Sequence, residues 1–231
     1  MEIWSDVVCP WCAIGKRRFE AALAGFAHRD DVEVRWRSFQ LDPQASGERE
    51  SGPGPLAAKL GVSVEQAREM LDGVTATAAE DGLEFRFDIA RHGNTLDAHR
   101  LLHLAWELGG ASLQGALKER LLRASFTEGE PVGDPDTLAQ LAASAGVPEA
   151  DARAVLGSDR YLDAVRGDQE LARRYGISGV PFFVIDDRFG VSGAQPAEAF
   201  GQALDRAWAD AHPLTPVGDD GRTCADGSCT T

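Results

Sequence analysis

The sequence predicts an α/β fold in which the sheet-forming part is split by a large all-helical insertion. Three observations predict it. Near the N-terminus a strand-like run, a helical run and an alternating strand follow one another. A long middle region then carries helical periodicity. Strand signal returns near residue 181, and one more amphipathic helix follows it. The expected divisions are residues 1–54 and 171–210 for the two parts of the α/β domain, 55–170 for the helical insertion, and 211–231 for a C-terminal tail.

The first strand is expected over residues 2–5, reaching residue 8 at most. A helix is expected over 11–26, because Phe19, Ala22, Leu23 and Phe26 recur at helical spacing. Residues 32–38 alternate, with Val32, Val34 and Trp36 on one face and Glu33, Arg35 and Arg37 on the other. Residues 41–54 read as a loop rich in Pro, Gly, Ser and charge. Ser63 and Gln66 form a capping box ahead of the stripe Val64, Ala67, Leu71, Val74 and Ala78. Residues 83–89 have no clear preference.

Asn94 is expected to cap a helix that Gly109 and Gly110 end, with another over 111–124. Asp134 before Pro135 starts the next. Residues 148–156 and 159–175 give a short and a longer helix. Residues 181–185 and 189–192 read as a hairpin turning at Asp186 and Asp187, and Pro196 opens the last helix. Residues 212–231 have no periodicity and read as a mobile tail.

The chain has 231 residues and a formal net charge of −14. Such an acid excess argues against nucleic acid or an anionic membrane as partner. No run approaches the length of a membrane span. The start, Met1-Glu2-Ile3-Trp4-Ser5-Asp6, has acid where a secretory leader carries Lys or Arg, so the expected location is cytoplasmic.

There are four cysteines, in two close pairs at opposite ends: Cys9 with Cys12, and Cys224 with Cys229. In a reducing compartment such pairs point to redox or metal chemistry rather than to a structural framework. Cys9-Pro10-Trp11-Cys12 lies between a strand and a helix. Two intervening residues put both sulfurs on one turn, where they close a disulfide with little backbone motion. At a helix start, unpaired N–H groups and the helix dipole favour a thiolate on Cys9. Cys12, one turn inside, is placed to resolve a mixed disulfide. Pro10 is tolerated in the first turn, and Trp11 offers apolar surface beside the sulfur. The competing readings are a zinc half-site or inert packing.

Gly179-Val180-Pro181 leads into the returning strand. A trans proline inside a central strand is costly, so a cis Val180–Pro181 bond is expected, with the Val180 backbone turned toward Cys9 to receive an extended substrate. An ordinary turn proline is the alternative.

Strand, Cys-x-x-Cys, helix, strand opens a thioredoxin-like unit. The segment from Trp4 to Lys16 resembles the start of DsbA-family proteins of the FrnE-like branch. Residues 177–185 resemble that family's cis-proline segment, and residues 94–100 its helical-domain pattern. The likeness spans roughly residues 1–210. It implies a thioredoxin-like fold with a large inserted helical domain, with Cys9 attacking, Cys12 resolving and Pro181 cis beside them. The implied function is thiol–disulfide exchange, as a reductase or disulfide isomerase acting on protein or small-molecule thiols. No tightly bound cofactor or metal is implied; glutathione is the expected co-substrate. Related 2-hydroxychromene-2-carboxylate isomerases typically carry serine at the position of Cys9. A glutathione-dependent isomerase of an aromatic or polyketide substrate is therefore the rival reading.

The candidate site is thus Cys9, Cys12 and Pro181 for chemistry, with Pro10, Trp11, Val180 and His99 for substrate. His99 has a second reading, as a structural residue near Asn94. Asp6 is weighed for proton transfer and left outside the catalytic set. Cys224 and Cys229 enclose an Asp-Gly turn. They read as a second redox pair exchanging with the first, as an idle local pair, or as part of a four-cysteine zinc site.

Overall fold

The computed structural model describes residues 1–45 and 49–213. The expected tail and the Cys224–Cys229 pair lie outside the described residues.

Strand β1 (Glu2–Ser5) runs into helix α1 (Pro10–Gly25), and β2 (Arg35–Ser38) pairs parallel to β1, Ile3 opposite Trp36. The second strand is shorter than its alternation suggests. Arg35 N–H donates to the carbonyl of Met1 at 2.9 Å and Glu33 O accepts from the Met1 ammonium at 2.8 Å, while Val32 N–H turns back to Arg29 O at 3.1 Å instead of joining the ladder. Val32 and Val34 still pack against the sheet core. The two-residue strands β3 (Arg49–Glu50) and β4 (Arg91–His92) pair antiparallel, within and beyond the expected loop. Between them lie α2 (Pro53–Leu60) and α3 (Val64–Glu80). The Ser63–Gln66 capping box is present, with Gln66 N–H donating to Ser63 Oγ at 3.1 Å.

Helix α4 (Leu96–Arg123) joins the two helices expected on either side of Gly109-Gly110, and kinks there because both glycines leave helical geometry. Gly110 has φ +59, which glycine adopts without strain. The N-cap is Thr95 rather than Asn94. Asn94 sits one residue earlier and its Oδ1 accepts from Leu96 N at 2.9 Å. A π turn over Ala124–Glu128 follows, then α5 (Pro135–Ser144), α6 (Glu149–Leu156) and α7 (Leu162–Arg174). Asp134 caps α5 through Thr137 N–H, as expected. Strands β5 (Phe182–Ile185) and β6 (Phe189–Ser192) form the hairpin, with Asp186 and Asp187 both at positive φ, and α8 (Ala197–Ala211) closes the described chain.

The sheet order is β2-β1-β5-β6, with β5 antiparallel to β1. One core lies between the sheet, α1 and α8: Ile3, Phe19, Trp36, Phe183, Phe200 and Leu204. Phe183 and Phe200 meet edge to face with centroids 4.5 Å apart. A second core fills the helical block, through Leu101, Leu104, Leu117, Leu121, Leu138 and Val155. Val7 belongs to that second core, so the segment leading into Cys9 is packed against the insertion rather than against the sheet.

Polar side chains tie the two parts together. β2 is a sheet edge, whose open backbone groups need partners. The Gln114 amide supplies them: its Oε1 accepts from Trp36 N at 2.8 Å and its Nε2 donates to Trp36 O at 3.0 Å. Arg18 pairs with Asp81 at 2.7 Å, and the buried Lys16 bridges Glu20 and Glu119.

Candidate active site

β1 ends at Ser5 and the chain turns through residues 6–8. Asp6 holds this turn: its carboxylate accepts from Val7 N at 2.7 Å and from Leu41 N at 2.8 Å. Cys9 then takes extended backbone angles as the N-cap of α1, with Pro10 in the first turn. Its Sγ accepts from Cys12 N–H at 3.3 Å, meeting one of the helix's unpaired donors. The Val180–Pro181 bond is cis. The Val180 carbonyl lies 3.6 Å from Cys9 Sγ, within reach of its S–H. Gly15, one turn beyond Cys12, admits the proline; a Cβ there would sit 2.9 Å from Pro181 Cγ.

The structure therefore gathers Cys9, Cys12, Pro10, Trp11, Val180 and Pro181 in one place. Both sulfurs are covered, Cys9 at 3 % exposure and Cys12 at 1 %, while Trp11 beside them is 43 % exposed. His99 is not on a groove. It is fully buried on α4, with Nε2 3.3 Å from Asp6 Oδ1, and among the described residues neither ring nitrogen has a hydrogen-bond partner. Helical spacing from Leu96 turns this position inward, toward the end of β1, and away from any surface a substrate reaches.

Two residues that sequence reasoning left out complete the surroundings. Asp6 is 1 % exposed and Lys118 is fully buried. The Lys118 Nζ donates to Ser5 O at 3.4 Å and lies 5.5 Å from the centre of the Trp36 ring. A signal for Lys118 exists in the sequence. It falls four residues after Gln114 and three before Leu121, inside the arc that α4 buries.

Charge in the site is shared. Burial alone would raise the pKa of Asp6; the His99 ring, the Leu41 amide and Lys118 outweigh it and hold the carboxyl below its usual value. The hydrogen bond with the Cys12 side chain, then burial, push the Cys9 thiol well above its usual value. Burial opposes ionisation of Cys12 as well, but the Cys9 bond and the positive charge of Lys118 outweigh it, and its pKa is lowered. The two sulfurs titrate as a coupled pair, with the positive charge of Lys118 acting on the Cys12 side. The helix N-terminus favours a thiolate on Cys9, as the sequence expectation has it, while Lys118 favours one on Cys12.

Residues 1–205 match the family described as DSBA-like thioredoxin domain. The chain belongs to that family, whose members are generally oxidoreductases or isomerases. It is similar to the uncharacterized protein YwbO of Bacillus subtilis (strain 168), 30 % identical over 209 residues, which covers 88 % of this chain and 94 % of that one. Among solved structures it is similar to the probable DsbA oxidoreductase SCO1869 from Streptomyces coelicolor. There the identity is 46 % and the TM-score 0.86, covering 100 % of this chain and 97 % of that one. The cytosolic disulfide reductase DsbM from Pseudomonas aeruginosa, solved with GSH, shares the fold at 21 % identity and TM-score 0.59, covering 91 % and 96 %.

Proposed function

We propose that this protein is a thiol–disulfide oxidoreductase in which Cys9 attacks and Cys12 resolves. In this reading it acts as a reductase or disulfide isomerase on protein thiols, as a FrnE-like member of its family. The observation that carries the reading is the position of Cys9 Sγ, at the N-terminus of α1 and 3.6 Å from the Val180 carbonyl beside cis Pro181. An extended substrate running past Val180 brings its disulfide to that sulfur, and Trp11 gives it an apolar wall.

The exchange runs in two displacements. The Cys9 proton passes to the Cys12 sulfur, and the Cys9 thiolate attacks one sulfur of the substrate disulfide. A Cys9–substrate bond forms, the substrate S–S bond breaks, and the other substrate sulfur leaves as thiolate. Cys12 then loses its proton and attacks Cys9 Sγ. The internal disulfide forms and the second substrate sulfur leaves. The enzyme is oxidised by two electrons and the substrate reduced by two.

Glutathione is proposed as the thiol that returns the pair to the reduced state, and the cytoplasm as the location. The GSH-containing structure of cytosolic DsbM supports both by analogy of fold. The Cys224–Cys229 pair is proposed as a second couple exchanging with the first.

Insulin reduction and reshuffling of a scrambled disulfide protein test the reading. The wild type is expected to be active in at least one assay, and Cys9→Ser inactive in both. Cys12→Ser is expected to trap the substrate as a mixed disulfide on Cys9. A wild type inactive in both assays, or a Cys9→Ser variant as active as the wild type, overturns it.

A further inference from the structure

A cavity of about 270 Å³ lies between α1, the loop after α3 and the second half of α4. It is separate from the surface around Cys9: Trp11, Val180 and Pro181 are not among its walls. Its floor is apolar, with Leu83, Phe85, Leu122 and Phe126 facing Ala13 of α1. Ala13, Phe85, Leu122 and Phe126 are buried members of one core cluster, and the Phe85 and Phe126 rings stand 4.8 Å apart. The space exists because α1 offers only a methyl group at residue 13. The walls are also pinned in place. Thr127 Oγ1 donates to Glu84 O at 2.7 Å, and Arg86 N–H donates to Phe126 O at 2.7 Å. These bonds tie the loop after α3 to the π turn that follows α4, a kind of turn frequent at functional sites.

The rim is charged, and its charges are unevenly matched. Arg17 spends both terminal nitrogens, on Glu20 at 3.2 Å and on Glu119 at 2.8 Å. Glu119 also pairs with Lys16. Glu128 is shared by Arg120 at 2.7 Å and Arg123 at 2.8 Å. Arg123 reaches it through Nε, and among the described residues its two terminal nitrogens have no acid partner. Its side chain is 67 % exposed, so a ligand can reach that fork. A guanidinium fork takes a carboxylate through two parallel hydrogen bonds. Glu84, the remaining acid of the rim, is exposed and acts on Arg86.

Size narrows the occupant further. A cavity of about 150 Å³ accepts benzene, and drug-sized ligands take roughly 300 Å³ or more. This one has room for a single ring or a short chain with its head group. We propose that the cavity is a binding site for a small amphiphilic monocarboxylate, its apolar body between Ala13, Phe85 and Phe126 and its carboxylate on Arg123. The site does not depend on the dithiol reading, but it touches the same helix. Residues 9, 13 and 17 are four apart and follow one line along α1, so the ligand sits about one turn below Cys9.

The test is calorimetric titration of the full-length protein with 3-phenylpropionate and octanoate, and with the uncharged 3-phenylpropionamide as control. Saturable one-to-one binding of at least one acid is expected, and the better of the two tells a ring from a chain. The amide is expected to bind about tenfold or more weaker than its acid, the scale of losing charge-assisted hydrogen bonds. Arg123→Gln, at an exposed position, should bring the acid down to the affinity of the amide and leave the amide unchanged. Ala13→Leu fills the cavity and should abolish binding of both; if that variant does not fold, Arg123→Gln decides alone. Amide resonances that shift on binding should centre on Ala13, Phe85 and Phe126. No saturable binding of either acid up to millimolar concentration overturns the proposal. So does equal affinity for acid and amide, or an Arg123→Gln variant that binds the acid like the wild type. Resonance shifts centred on Trp11 and Val180 overturn it too, by placing the ligand on the surface around Cys9.

Discussion

The junction between sheet and insertion buries two aspartates, and each faces a histidine of α4. Asp168, from α7, is fully partnered: its carboxylate accepts from Ser38 N at 2.8 Å and from Arg37 at 2.9 Å, and stands 3.1 Å from His103 Nε2. His103 also lies 3.1 Å from Ser38 Oγ, and the Asp168 carbonyl accepts from the Trp4 indole at 2.9 Å. Asp6 stands in a looser cluster. Among the described residues the His99 nitrogens have no hydrogen-bond partner, nor has His92 Nε2. Both aspartates are buried beside cationic or imidazole groups, yet one network is closed and the other left with unspent donors. A closed buried network holds structure together; an open one beside reactive sulfurs leaves its protons free to move.

The sharpest break in the comparison is Asp168→Ala. It leaves Arg37, His103 and the Ser38 N–H facing an empty site, and the expected cost is about 3–5 kcal/mol of stability, the range for removing one partner of a buried pair. Thiol reactivity of the folded fraction is expected to stay at the wild-type level. Denaturant titration and thiol-trapping rates check the two halves. The pH dependence has a definite sign. Burial opposes ionisation of Asp168, but His103, the Ser38 amide and Arg37 outweigh it and hold its pKa below the usual 3.8. The stabilisation is therefore present above that value and is lost as pH falls through the lowered, folded-state one.

Lys118→Met is expected to do the opposite. At pH 7 the lysine is charged in the unfolded chain and charged at a cost in the folded one. A pKa lowered from 10.5 to about 8 corresponds to a gain of about 3 kcal/mol on removing that cost. The same change strips the thiolate of its counter-charge, so ultraviolet absorbance of the reduced pair should show less thiolate at neutral pH and alkylation should slow. A variant both less stable and unchanged in thiolate would place Lys118 in the structural class with Asp168.

His92 gives a pH signature to the open cluster. Burial lowers its pKa from 6.5 to about 4, with Asp6 opposing. Between those values the unfolded chain binds a proton that the folded one refuses. Stability should therefore fall as pH drops from 6.5 to 4, by about 3 kcal/mol in total. His92→Leu should flatten that slope, read from denaturation midpoints across the range.

Much of the fold was legible because it rests on local pattern. The Ser63–Gln66 capping box, Asp134 before Pro135, and the Asp186-Asp187 hairpin turn are each written within a few residues. The cysteine pair at a helix start and the cis proline were legible for the same reason. What was not legible depended on distance in the chain. Whether residues 32–34 extend β2 is decided by where β1 begins, since Arg35 already pairs with Met1. Asp6 reads locally as a loop residue until Leu41 N–H is brought to it, and Lys118, although helical spacing puts it on the buried arc of α4, meets the end of β1 only through the tertiary fold. His99 was singled out by motif with two readings open, a groove residue or a structural one, and burial of its helix face against another element, a tertiary fact, places it inside.

The finest test uses the two histidines one turn apart on α4, changed in the same way. His103→Phe removes a ring bonded to Ser38 Oγ and facing the Asp168 carboxylate, and strands both. The expected cost is about 1–3 kcal/mol, the range for leaving buried polar groups unpaired. His99→Phe removes a ring whose nitrogens have no hydrogen-bond partner among the described residues, and replaces it with an apolar ring of similar shape in a fully buried place. Its expected effect on stability is smaller than that of His103→Phe, because Asp6 retains two backbone donors when the ring is lost. Asp6 keeps the Val7 and Leu41 amides in both variants, so the turn before Cys9 is preserved. Losing the His99 ring takes away one of the contacts that lower the Asp6 pKa, and His99→Phe should therefore move the pH profile of thiol reactivity while His103→Phe leaves it in place. Equal stability costs for the two substitutions, with no movement of either profile, would mean that the open donors around Asp6 are only a packing feature.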